Sequence, residues 1–421
     1  MEELKNEFKI DLRYLGFTVI AIIIGAISGL AGALFGLAIK GVTTIRLDHP
    51  WIIFLLPFGG ILIALFYKYT SNKRAQNTND VILAARNEEG VEKRMAFQIF
   101  IGTTFSHLLG ASVGREGAAL QLGGSIGYNA AKAMKIKDKH LDIMVMAGMA
   151  GAFSALLGLP LTAAIFAIEI ASVGQLQYAA LIPVVSSSLT ASFIANLLHA
   201  PKMNVGSLNT VSVNGNSILL TVIGGILISL AAILFMYSLR FFKELFEKIW
   251  KNPLIRGFAG GIIIIISTLI IGLFSVISSG KALTFSNIIN VQTYNGASGD
   301  LIALAVAGTA PALAFILKIY MTSISLGAGF KGGAIVPSFV IGSTSGCLLG
   351  HLLGVDPGLM AACGLGAFFA GVTNCPISAL LLCFELFGMK GMPYFLITIA
   401  FAFIFSNKIS IYPAQEYKID L

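Results

Sequence analysis

Ten residues interrupt an otherwise apolar stretch with side chains that could do chemistry: Ser112-Val113-Gly114-Arg115-Glu116-Gly117-Ala118-Ala119-Leu120-Gln121. An ionisable side chain inside a membrane-spanning region is costly, and by default it marks a substrate or ion pathway. Gly114 and Gly117 let the backbone leave the helix and approach a ligand closely. A helix beginning near Gly117 presents unpaired N–H groups and a partial positive charge, which hold an anion without a full cation beside it. Glu116 is then a carboxylate at an anion site. Ionised, it occupies the site itself; protonated or displaced, it leaves. Such a group can exchange protons for anions, or block the path until it is protonated. The competing reading pairs Glu116 with Arg115 and leaves it only to pin the turn, but adjacent residues rarely point at each other. Arg115 itself reads as structural, holding carbonyls near the break.

A second break answers the first. Shifting the sequence by 216 residues superposes Gly117 on Gly333, Pro160 on Pro376, Ala163 on Ala379 and Glu169 on Glu385, with Arg115 on Lys331. A helix starting near Gly333 would aim a second N-terminus at the same point, and small residues there let the backbones come close. Two halves with a charged, Gly-rich break at the same place point to a binding site at their interface. Glu169 and Glu385 end apolar helices at matching positions, so a shared structural role such as capping is expected of them.

The elements that must position these breaks belong in a membrane. Of 421 residues, 56% are hydrophobic and only 11% charged, and the mean hydropathy is +0.86, which excludes a soluble globule of this size. The pattern predicts an all-α integral membrane protein. Apolar runs able to cross or enter a bilayer fall at roughly 14–41, 51–67, 95–112, 117–134, 142–157, 160–172, 176–199, 216–242, 254–279, 302–326, 333–353, 358–371, 375–388 and 393–406. Several are too short to cross alone and read as broken or re-entrant helices. The chain reads as one domain over 1–421, with repeat one at about 14–200 and repeat two at about 216–412.

Met1 to Arg13 is amphipathic enough to lie at the membrane surface, and no cleavable signal peptide precedes the first span. The basic connectors around Lys68–Arg94, Lys132–His140 and Arg240–Arg256 are assigned to the cytoplasm, and 201–215 and 280–300 to the outside. The net charge of +8 therefore reflects loop placement rather than nucleic-acid binding. Cys347, Cys363, Cys375 and Cys383 form no CxxC pair and have no His at ligand spacing, so neither metal nor cofactor is expected. His107 and His351 read as satisfied core histidines, and Asn129, Asn196 and Asn374 as bonds across helices. Without an HExxH or a nucleophile–base set, no catalytic site and no enzyme are expected. A transporter of another small solute would want a larger cavity lined by carboxylates or aromatics.

Taken together, the residues resemble the chloride channel and chloride/proton exchanger (CLC) family. Gly114-Arg115-Glu116-Gly117 matches its GREG motif, and Gly333-Ala334-Ile335-Val336-Pro337 resembles its GxFxP motif, with Ile335 where the usual Phe stands. Tyr412 is similar to the tyrosine that bonds the central anion. The resemblance covers nearly the whole chain. It implies a CLC-type fold with inverted repeats, a homodimer with one pathway per subunit, and a multi-pass protein of the cell membrane. It also implies chloride or fluoride, with protons, as the ions moved. Glu116 would be the gate and proton carrier. Gly117, Ala118, Gly333, Ala334, Ile335 and Tyr412 would bind the anion, with Gly114, Arg115, Phe330, Lys331, Gly332 and Pro337 in support. No cytoplasmic regulatory domain is expected after Tyr412.

Three departures bear on mechanism. The family's GSGIP motif is missing, and Asn77, Thr78 and Asn79 stand where its serine would be and are expected to bind the anion in its place. Together with Gly329-Phe330-Lys331-Gly332-Gly333, this resembles the fluoride-exporting branch; a small, strongly hydrated anion needs more polar donors to replace its water. Ile170 stands where chloride/proton exchangers carry an inner proton-transfer glutamate, and Ala334 where the fluoride branch usually has one. The expectation is a proton-coupled halide antiporter gated by Glu116, with an uncoupled chloride channel of the same family as the alternative.

Overall fold

The structure is a computed structural model describing residues 12–72, 74–203, 205–208, 215–406 and 409–418. Residues 1–11, expected at the membrane surface, lie outside it, as do 204 and 209–214 of an expected outer connector. The first half of the described chain forms α1 (Leu12–Asp48), α2 (Leu56–Thr70), α3 (Thr78–Ala84), α4 (Met95–Leu109), α5 (Glu116–Ala133), α6 (Leu141–Leu157), α7 (Pro160–Glu169) and α8 (Leu181–Leu197). The second forms α9 (Gly215–Ile249), α10 (Pro253–Ser278), α11 (Phe285–Ile289), α12 (Asp300–Val306), α13 (Ala314–Gly327), α14 (Ile335–Leu353), α15 (Pro357–Thr373), α16 (Pro376–Phe387) and α17 (Met392–Phe405). Among the described residues the sheet content is one parallel pair, β1 (Ser172–Val173) with β2 (Glu416–Tyr417).

Among the described residues, seven helical stretches are long and apolar enough to cross a bilayer, including Tyr14–Asp48, Ser217–Ile249 and Pro253–Ser278; the other apolar helices are shorter. The expected run at 302–326 is two helices rather than one. Gly308 takes a left-handed φ of +75° and Pro311 follows, so α12 stops and α13 starts anew. Residues of α8, α9 and α10 such as Phe193, Leu219 and Phe274 leave their apolar side chains exposed, as a lipid-facing surface requires, whereas α6 and α15 are buried almost throughout.

α5, α6 and α7 are answered by α14, α15 and α16. Both central pairs pack through glycine: a methyl built on Gly123 of α5 would lie 2.1 Å from the Gly148 carbonyl oxygen of α6, and one on Gly342 of α14 2.4 Å from that of Gly364 in α15. Such small-residue contacts are how helices close on one another in lipid. The 216-residue shift holds from α6 and α15 onward but not at the breaks. α5 starts at Glu116 and α14 at Ile335, so Glu116 is answered by Ile335 rather than Gly332. The connectors absorb the difference, 134–140 after α5 against 354–356 after α14.

The halves also close each other's helix starts. α7 and α16 begin with a proline, which needs no N–H at that position, leaving the next two N–H groups to be satisfied. Glu385 accepts from Leu161 N (3.0 Å), Thr162 N (2.7 Å) and the Thr162 hydroxyl (2.5 Å). Glu169 accepts from Ile377 N (3.1 Å), Ser378 N (2.8 Å) and the Ser378 hydroxyl (2.5 Å). Each glutamate comes from the C-terminal turns of one helix and caps the N-terminus of the other, a reciprocity that only antiparallel, inverted halves allow. The capping role expected for this pair is therefore present in the geometry.

Candidate functional site

The two breaks meet. Gly114 and Gly333 exchange both backbone hydrogen bonds, Gly114 N to Gly333 O at 2.7 Å and the reverse at 2.8 Å. α5 and α14 each begin two residues later, so two helix N-termini converge on this junction. The approach is as close as backbone permits. A methyl built on Gly333 would lie 2.6 Å from the Gly117 nitrogen and 2.9 Å from its Cα.

A cavity opens on either side. The one beside the connectors expected outside, called outer for that reason, is about 640 Å³ and is walled by Arg46, His107, Arg115, Glu116 and Lys202, and by loop residues from Asn290 to Asp300. The inner one, about 210 Å³, is walled by Thr78, Gly117, Gly333, Ala334, Lys243 and Tyr412 among others. From Gly215, beyond the Lys202 connector, α9 runs roughly 40 Å at 1.5 Å per residue to reach Lys243 at the inner cavity. The junction thus separates two faces of the molecule.

Glu116 is fully buried and turns to the outer side. Its Oε2 accepts the Arg115 backbone N–H (2.9 Å), and its Oε1 lies 3.3 Å from Arg115 Nε. The expectation that these neighbours would not face each other is corrected. Arg115 is the residue before the helix, at φ −115°, so helical spacing does not govern the pair and the carboxylate folds back over the cap.

The Tyr412 hydroxyl reaches the junction from within, 3.9 Å from a methyl built on Gly117. Its strand of chain is pinned by Ser410 Oγ, which accepts the Tyr412 N–H (3.0 Å), and by Gln415, whose amide donates to the Thr373 carbonyl (2.7 Å). Of the three residues expected near the missing serine motif, Thr78 lines the inner cavity and its hydroxyl accepts from the Gln121 amide (2.9 Å). Asn77 instead caps α3 by accepting the Asn79 N–H (2.9 Å), in a capping box closed by Asp80. Asn79 accepts the Ala414 N–H (3.2 Å), tying α3 to the Tyr412 segment. Both asparagines hold the site's frame and neither lines the cavity.

Ala118 and Ile335 are buried in the first turns of α5 and α14 and stand on neither cavity wall. Phe330 is buried, and the Lys331 ammonium sits 4.4 Å from the Tyr67 ring centroid. Gly332 leaves room for Val113, 2.6 Å from a methyl built there, and Pro337 stands 2.7 Å from one built on Gly114.

Residues 59–407 match the voltage-gated chloride channel family. The chain belongs to the CLC family. Its members are transporters and channels, not enzymes, and this is a multi-pass protein of the cell membrane. The CLC chain is 30% identical over 396 residues to the chloride/fluoride channel protein of Pseudomonas syringae pv. tomato, an alignment that spans 94% of this chain and 85% of the relative. It is 26% identical over 296 residues to the H(+)/Cl(-) exchange transporter ClcA of Vibrio cholerae, spanning 66% of this chain and 58% of that one. Among solved structures, a CLC-type fluoride/proton antiporter superposes with a TM-score of 0.88 at 26% identity, over 97% of this chain and 100% of that one. A slow cyanobacterial Cl-/H+ antiporter shares the fold, with a TM-score of 0.74 at 20% identity over 93% and 94% of the two chains.

Within this CLC chain the two departures at expected inner carboxylates have clear positions. Ala334 precedes α14 and lines the inner cavity, while Ile170 is buried at the end of α7. Among the described residues on the inner wall, Lys243 carries a charge and none is a carboxylate.

Sequence reasoning passed over Lys318. It is fully buried in α13, and its ammonium donates to Ser112 Oγ (3.0 Å), Ser298 Oγ (2.9 Å) and the carbonyls of Gly296 (2.7 Å) and Tyr294 (3.3 Å). It therefore ties the start of the first break to the loop that walls the outer cavity. The signal was available, since a lone lysine stands inside the apolar run 302–326. Lys318→Met removes every one of these donors and leaves buried acceptors unpaired, at a cost of about 2–3 kcal/mol. A clear fall in the thermal unfolding temperature in detergent is expected, and an unchanged one would refute the role.

Proposed function

We propose that this chain transports chloride or fluoride across the cell membrane in exchange for protons, as a homodimer with one pathway in each subunit. Glu116 is the gate and proton carrier in this reading. Gly117, Gly333, Ala334, Tyr412 and Thr78 line the passage, and the helix N-termini at the junction supply the positive potential. The observation that carries it is the pair of cavities on either side of the Gly114–Gly333 bridge, with a buried carboxylate on one and a tyrosine hydroxyl on the other. The relatives' names, which speak of chloride, fluoride and protons, support the same ions. The two repeats, about 14–200 and 216–412, would form one transport unit.

A second reading, an uncoupled halide channel, is favoured by the absence of a carboxylate from the described inner wall. With Ala334 and Ile170 at the two inner positions, protons leaving Glu116 must travel through water in the inner cavity or not at all. Purified protein in liposomes loaded in turn with chloride and fluoride separates the two. Halide flux that drives protons uphill in a fixed ratio is the expected result, and the faster halide names the preferred ion. Halide flux without proton movement would establish the channel, and flux of neither halide would overturn both readings.

A further inference from the structure

The outer cavity carries more positive charge than a gate needs. Lys40, Arg46, Arg115 and Lys202 line it against two carboxylates, Glu116 and Asp300. Arg46, at the end of α1, is 3% exposed, and among the described residues no carboxylate pairs with it. Its Nη1 donates to Gln292 Oε1 at 2.6 Å, while its Nε has no hydrogen-bond partner. His107 stands in the same wall, 1% exposed, and its Nε2 also lacks a partner. It was expected to be a satisfied core histidine and is so on one side only: its ring is hydrogen-bonded to the Gly114 backbone, and Nε2 is left unpaired. The two side chains converge on Gly296, where a built methyl would lie 3.2 Å from Arg46 Nη2 and 3.7 Å from His107 Nδ1.

A buried guanidinium with an open N–H and no counter-charge is unfavourable until something supplies both. Gln292 cannot, because its oxygen already accepts from Arg46 while its amide donates to the Pro50 carbonyl at 3.1 Å. That fixed amide holds the guanidinium in place in a wall of the cavity. We propose that Arg46, oriented by Gln292 and flanked by His107, forms a second anion site, separate from the Gly117–Gly333 junction. The site takes a small monovalent anion and concentrates it in the outer cavity before it meets Glu116. The identity of that anion as a transported halide rests on the reading given under Proposed function; the site itself does not.

Gln292→Glu tests it by placing a carboxylate against Arg46 with little change of shape, so that the guanidinium is neutralised from within. The apparent KM for external chloride and fluoride should rise by roughly tenfold, with the change falling on KM rather than kcat. Wild-type crystals soaked in bromide should show an anomalous peak in the outer cavity within hydrogen-bonding reach of the Arg46 guanidinium, and Gln292→Glu crystals should lack it. A wild-type KM in Gln292→Glu, or bromide at the junction with none beside Arg46, would overturn the proposal. Should Gln292→Glu fail to fold, the wild-type bromide map decides alone. If the wild type moves neither halide, the transport reading falls while the bromide peak still decides this one.

Discussion

Glu116→Gln is expected to cut proton movement coupled to halide flux by roughly a hundredfold, or about 2.7 kcal/mol, and to free the remaining halide flux from pH. Glutamine has nearly the size of glutamate, and its carbonyl can still accept the Arg115 N–H that Glu116 Oε2 accepts at 2.9 Å. The turn should therefore survive. What is lost is a group that alternates between charged and neutral. Without that negative charge nothing competes with an anion for the helix N-termini, and Arg115 adds its unpaired charge to the outer cavity. Halide should pass, but the carboxylate that alternated between charged and neutral is gone from the junction. Internal pH and halide efflux recorded together in liposomes, from acid to neutral pH, check both halves of the expectation. Uphill proton movement at the wild-type ratio in this variant would remove Glu116 from the gate role.

The fold was legible wherever breaks in hydropathy coincide with backbone chemistry. Prolines opening α7 and α16, and charged, glycine-rich interruptions before α5 and α14, stand out because so little else in the chain is polar. The repeat was legible for the same reason, but its register was not uniform. An ungapped comparison anchored on Pro160 and Pro376 carries the wrong pairing into the breaks, because connector length is free to vary while helix contacts such as Gly123–Gly148 and Gly342–Gly364 are not. The split between α12 and α13 was hidden because the intervening Gly308 to Leu313 is itself mostly apolar.

The site was legible down to the residue where backbone supplies the chemistry, and less so where side chains do. Gly114, Gly117 and Gly333 converge because only glycine tolerates that approach. Which of Asn77, Thr78 and Asn79 faces the passage depends on the turn that starts α3, where Asn77 turns back to cap the helix and Asn79 bonds the Tyr412 segment, leaving Thr78 on the cavity. Lys318 stood out as a lone charge in an apolar run and Arg46 beside one, but what each of them bonds could not be read from either run. Their partners, Gly296 and Gln292, are far away in sequence. Such contacts have no local signature.

A methyl at position 333 should close the passage that Glu116→Gln leaves open. The Cβ of Gly333→Ala would stand 2.6 Å from the Gly117 nitrogen and 2.9 Å from its Cα, and one on Gly117 would stand 3.0 Å from the Gly333 Cα. These are backbone atoms at the starts of two buried helices, and neither can turn aside as a flexible side chain would. The helices must separate, breaking the Gly114–Gly333 bridge, or the methyl must fill the junction. Either response blocks an ion, so halide and proton flux should fall together by at least about tenfold, at an overpacking cost of roughly 1–3 kcal/mol. That joint loss distinguishes a blocked passage from a disabled gate, which loses protons alone. Gly41→Ala is the matched control: nothing lies within 4 Å of its built methyl, and alanine favours the helix there. Liposome flux at equal protein incorporation measures the contrast. Wild-type flux through well-folded Gly333→Ala protein would mean that ions pass elsewhere, because no anion shares a gap that a methyl already overfills.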